Sequence, residues 1–202
     1  MDFAGKMPSI GLLADITQET PGGTLCSTLE YPPIILNKLL AACREDNLSI
    51  TSALHAAVIV ATQEFQEMSS ESSMGVNFTT FAIFDYRPYM PAPCNDVSAW
   101  PMGVYMLGLP ASLPSAEFPT QAKALQKVYK QPLGQDEFPV LEYYDQYSGM
   151  MASALSQPPP PRMPLPTTLS LSGLGSIDCR MQAIYEGKKR CRLRVSRLER
   201  MF

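Results

Sequence analysis

Residues 34–68 read IILNKLLAACREDNLSITSALHAAVIVATQEFQEM. Apolar positions recur there at helical spacing. Ile35, Leu39 and Cys43 share a face, as do Leu36 and Leu40, while Lys38 and Arg44 can point outward. The pattern predicts a helix over Ile34–Arg44, broken by Asp46–Asn47. Thr51 can cap a second helix that runs to Met68. Its apolar set is Leu54, Ala57, Val58, Ala61 and Phe65, and Ala53, Ala56, Ile59 and Val60 fill its other faces. The first half of that helix is therefore expected to be buried nearly all round.

Downstream, Gly75 to Phe84 is rich in Val, Phe, Thr and Ile and reads as a strand. Pro88 to Pro119 holds seven prolines and reads as extended loop, with a strand inside it over Met102–Leu109. Thr120–Lys130 and Val140–Leu155 read as helices. Residues 157–166 hold six prolines and read as a polyproline-like linker. A short strand over Thr167–Leu171, a turn at Gly173–Gly175 and a last strand over Arg190–Val195 complete the pattern. Helices interleaved with strands define an α/β fold, a mixed sheet with flanking helices. Residues 1–30 read as an irregular segment, and 31–202 as a single lobe with the linker inside it.

The 202 residues suffice for one domain. A composition of 46% hydrophobic and 17% charged residues excludes a wholly disordered chain. The amino terminus has an acid at position 2 and only a short apolar patch, unlike a secretory signal. The longest apolar stretch, Ala53–Ala61, contains His55 and is too short to span a bilayer. Five cysteines, at 26, 43, 94, 179 and 191, include no CxxC pair. Free thiols in a reducing, cytoplasmic setting are the expectation. Residues 180–202 carry eight Lys/Arg against two acids, although the net charge is −3. Arg190, Arg192 and Arg194 alternate with Cys191, Leu193 and Val195, as in a strand with one solvated face. Neither a nucleic acid nor a membrane is an expected partner.

The common catalytic patterns are missing. There is no GxxxxGK[ST] phosphate loop and no GxSxG elbow, and Gly173-x-Gly175 lacks the third glycine of a dinucleotide turn. His55 is the single histidine, so histidine-based metal clusters are excluded and no metal is expected. Among Ala and Val in mid-helix, it reads as a buried, hydrogen-bonded histidine rather than a base. Tyr143, Tyr144 and Tyr147 read as packing.

Four segments, in order, resemble a known family: Leu39–Ala57, Phe84–Pro91 (FDYRPYMP), Trp100–Gly108 (WPMGVYMLG) and Leu169–Asp178 (LSLSGLGSID). They are similar to the second half of the chloramphenicol-acetyltransferase-like superfamily. The nearest type is the fungal O-acyltransferases of secondary metabolism, the trichothecene acetyltransferase type. The resemblance implies one lobe of a two-lobe enzyme. Acyl-CoA is its co-substrate and a small apolar hydroxylated metabolite its acceptor. In that family an HxxxD motif on the first lobe supplies the general base. Here Ile59 stands four places after His55, so the motif is missing and no catalytic residue is assigned. The chain then reads as truncated at both ends. By the same resemblance, Asp85 and Arg87 tie a loop to the sheet. Ser170 and Ser172 face the tunnel as oxyanion or thioester donors, and Gly173 and Gly175 shape the strand end. A complementary lobe or self-association is the implied partner. Two alternatives are a non-catalytic descendant that binds a small molecule or a protein, and a decayed gene fragment.

Overall fold

The computed structural model describes residues 9–12, 25–68, 76–96, 98–99, 105–133, 140–156, 169–173, 184–186 and 192–194. The element order is α1 (Pro33–Glu45), α2 (Ile50–Met68), β1 (Asn77–Asp85), a 3₁₀ turn (Arg87–Tyr89), β2 (Met106–Pro114), α3 (Phe118–Tyr129), α4 (Val140–Leu155), β3 (Ile184–Glu186) and β4 (Arg192–Arg194). This is a mixed α/β arrangement. The sequence pattern located both early helices, β1, α3 and α4 to within three residues at each end. It did not show β3, which pairs antiparallel with β4.

α1 stops where the sequence demands it. Asn47 takes the left-handed conformation, φ 55°, that asparagine tolerates better than most side chains. The Leu48 amide then donates to the Cys43 carbonyl at 2.7 Å and the Asn47 amide to the Arg44 carbonyl at 3.1 Å. These two bonds satisfy carbonyls that the helix end would otherwise orphan. The cap of α2 is Ser49, not the expected Thr51: its Oγ accepts the Ser52 amide at 3.1 Å. Thr51 lies one residue inside the helix.

β1 and β2 pair antiparallel over nine residues each, with Phe78 opposite Leu113, Thr80 opposite Ala111, Ala82 opposite Leu109 and Phe84 opposite Leu107. These residues line the face turned to α2 and α3. β2 begins four residues later than the sequence indicated and runs through two prolines, Pro110 and Pro114. Hydrogen-bond parity explains why it can. The Asn77 carbonyl accepts from the Ile10 amide and the Thr79 amide donates to Ser9 Oγ, so odd-numbered residues of β1 turn their backbone groups away from β2. Pro110 opposite Phe81, and Pro114 opposite Asn77, thus fall at non-hydrogen-bonded positions, where no donor is needed.

The main core gathers Ile10, Ala56, Ile59, Phe78, Leu113, Ala122 and Leu125, with Leu48, Ala124, Tyr129 and Leu169 packed against it. Each fully buried Phe, Ile or Leu contributes about 1.5–3 kcal/mol. Ile10 lies in the segment that reads as irregular, yet it is buried, and Ser9 forms a parallel bridge to Asn77. The Gly11 amide donates to Gln66 Oε1 and holds that segment to the end of α2.

α2 is not buried all round. Ser52, Ala53, His55, Ala56, Ile59, Thr62 and Gln66 form its buried stripe, whereas Leu54, Ala57, Ala61 and Phe65 are exposed. On the face turned to α3, Ser52 and His55 bond to Gln126 and Tyr129 of that helix. Leu169–Leu171 is not a strand. The linker 157–166, Thr167, Thr168 and Gly175 lie outside the described residues, as do Arg190, Cys191 and Val195.

Candidate functional site

Asp85 ends β1 and Arg87 opens the turn that follows. The Arg87 amide donates to Asp85 Oδ1 at 3.2 Å. Its guanidinium lies 3.8 Å over the Tyr105 ring, and Nη1 donates to the Cys94 carbonyl at 3.4 Å. Arg87 thus joins the end of β1, the residue preceding β2 and the loop between them. Close by, the Ser98 hydroxyl and then its amide hold the Asp96 carboxyl below its ordinary value, with a smaller contribution from Arg87.

Ser170 and Ser172 are exposed, while Leu169 and Leu171 are partly buried. The segment alternates, with hydroxyls outward. It is anchored at Leu169, which packs on the core and whose carbonyl accepts from Thr80 Oγ1 at 3.3 Å. Gly173 is exposed, and a side chain there would meet nothing within 4 Å. Thr80 and Asp85 lie five residues apart on β1, about 17 Å of strand. The structure therefore brings Asp85 and Arg87 together at one end of β1 and anchors the serine segment at the strand's middle.

His55 is fully buried between α2, α3 and β1. Its Nδ1 shares a 2.9 Å hydrogen bond with the Tyr129 hydroxyl, and Phe78 meets the ring edge-on at 6.2 Å. Nε2 has no partner. The expected hydrogen-bonded histidine is present, with one of its two nitrogens satisfied. Burial holds the His55 pKa below its ordinary value and the Tyr129 pKa above its own. A group so enclosed cannot reach a substrate hydroxyl. Sequence reasoning missed Tyr129 and also Gln126, because their partners lie more than seventy residues away. Gln126 Oε1 accepts the Ser49 amide at 2.9 Å and the Ser52 hydroxyl at 2.6 Å, and Nε2 donates to the Asn47 carbonyl at 3.2 Å. It fastens α3 to the α1–α2 turn. Among the described residues no three His, Cys, Asp or Glu side chains could hold a metal ion.

The fold and these sites define a mixed α/β chain with a sheet-end arginine turn and an exposed serine segment, and comparison with known proteins places it near fungal acetyltransferases. It is 26% identical over 171 residues to "O-acetyltransferase pigM" of Monascus ruber, covering 82% of this chain and 32% of that protein. It is 25% identical over 169 residues to "Azaphilone biosynthesis cluster protein M" of Aspergillus terreus, covering 82% of this chain and 39% of that protein. The match therefore spans only 32% and 39% of the length of these relatives. No family profile and no solved structure matches it.

Proposed function

We propose that this chain is one part of an acyl-CoA-dependent O-acyltransferase of fungal secondary metabolism, of the trichothecene acetyltransferase type. In this reading it is the acceptor-side half, and it works in the cytoplasm. The observation that carries the reading is the likeness over 82% of the chain to a fungal O-acetyltransferase and to an azaphilone-cluster protein. Acyl-CoA is the donor substrate, and a small apolar metabolite bearing a hydroxyl is the acceptor. A hydroxyl at neutral pH is a poor nucleophile and needs a base within hydrogen-bond reach. His55 is enclosed and bonded to Tyr129, so the base comes from an HxxxD-bearing lobe that complements this one. The exposed hydroxyls of Ser170 and Ser172 are the donors for the developing oxyanion or the thioester. Arg87 has a structural part, holding the loop between β1 and β2 to the end of the sheet.

The test is thiol release from acetyl-CoA with a panel of hydroxylated metabolites. The chain alone is expected to give no turnover. Joined to an HxxxD-bearing lobe of a related acyltransferase, it should acetylate, and Ser170→Ala or Ser172→Ala should then lose about 10²-fold in rate. Turnover by the chain alone, abolished by His55→Ala, would overturn the assignment of the base. A formed but inactive complex would favour the rival reading, a non-catalytic binding module.

A further inference from the structure

The first turn of α1 does not hide a face. Successive helical residues point about 100° apart, so three in a row sweep most of the circumference. Ile34, Ile35 and Leu36 are such a trio, and all three are exposed, Ile34 by 64%. The segment leading into them continues the pattern, with Leu25 97%, Leu29 72% and Tyr31 62% exposed. Among the described residues, six large apolar side chains within twelve positions are therefore largely uncovered. Of α1, only Cys43, near the opposite end, is buried. An amphipathic surface helix turns its apolar stripe to its own core. This one turns its larger apolar residues outward at the end where it begins, and exposed apolar side chains gathered in one short segment point to a contact site.

We propose that Leu25–Leu36 is the surface through which this chain packs against the part of an acetyltransferase polypeptide lying outside the stretch it matches. The inference rests on the acyltransferase reading above, since the occupant is taken from those relatives. With 32% and 39% of the two relatives matched, well over half of each lies outside the matched stretch, ample polypeptide to cover the patch. Charge narrows the chemistry of the occupant. Glu30 is the single charged residue from Leu25 to Leu36, so the covering surface is apolar with at most one cation near that glutamate. A segment without Lys or Arg is poorly suited to an anionic membrane. No single helix among the described residues is long and apolar enough to cross one, and α1 and α2 are bent by 98° to each other.

The experiment co-expresses the full 202-residue chain with the portion of the Monascus ruber O-acetyltransferase that lies outside the match, and measures complex affinity. The double variant Ile34→Lys/Leu36→Lys should bind about 100-fold more weakly. Because both side chains are exposed in the chain itself, its own melting temperature should move by less than about 3 °C. Equal binding by wild type and variant, or none by either, overturns the proposal. So does a larger fall in melting temperature, which would make the patch part of this chain's own packing. A wild-type homodimer abolished by the same substitutions would assign the surface to a second copy. Flotation of the wild type with phosphatidylcholine vesicles, lost in the variant, would assign it to a membrane. A complex that forms without acyl transfer sustains this surface and sinks the enzymatic reading.

Discussion

At the scale of the residue, the burial of His55 and Tyr129 makes stability depend on pH. The folded state holds neutral imidazole, and burial lowers the His55 pKa below 6.5. Stability from this group is full above pH 6.5 and is lost as pH falls from there toward the folded-state pKa, because the unfolded chain binds the proton more readily. Tyr129 works in the opposite sense. Its pKa is raised above 10 by burial, so its contribution is full below pH 10 and is lost as pH rises beyond it. Urea midpoints should therefore decline between pH 7 and pH 5. His55→Gln, which keeps a hydrogen-bonding group toward Tyr129, should flatten that decline. An unchanged slope in the variant would show that other groups govern acid sensitivity. The burial of His55 was legible, since a lone histidine among Ala and Val on a helix has few other places to go. Its partner was not, because nothing local in the sequence links residue 55 to residue 129.

At the scale of the element, α2 shows how periodicity can identify a helix and still misassign its faces. Leu54, Val58, Ala61 and Phe65 have the spacing of a core stripe, but the core takes the neighbouring stripe, led by Ala56 and Ile59. Both stripes are apolar enough to be buried, and the choice falls to the fit against α3, whose Ala122 and Leu125 share the core with Ala56. A pair of substitutions separates the two faces. Ala56→Leu overpacks a closed contact and should cost about 1–3 kcal/mol in denaturant unfolding. Ala57→Leu adds a side chain on the exposed face and should stay within about 0.5 kcal/mol. Reversed effects would turn the helix over. β2 carries a similar lesson. Pro110 and Pro114 argued for loop in the sequence, because proline removes a donor. Only the pairing register, which depends on β1, shows that these two positions need none.

At the scale of the whole molecule, the α/β class was legible from helices interleaved with strands, and the fungal acetyltransferase likeness from the order of four short segments. The places of Ile10 and Leu169 were not, since they depend on contacts between distant residues. Ile10 and Leu169 both reach the cluster headed by Phe78, although they lie far apart in the sequence, on opposite sides of Phe78. Loop closure grows costlier with the length enclosed, and contacts between such distant positions are repaid only after the intervening elements are in place. The hairpin β1–β2 pairs residues much nearer in sequence than the bonds from Ile10 to Asn77 and from Thr80 to Leu169, so it is expected to condense first, with Ile10 and Leu169 arriving later as clasps on a formed centre. The late clasps should also be the first to open. In native-state hydrogen exchange, the Ile10 amide, bonded to the Asn77 carbonyl, should exchange through a local opening that leaves the Ala82 amide protected. Identical opening free energies at the two amides would show instead that the clasps and the centre come apart as one cooperative unit.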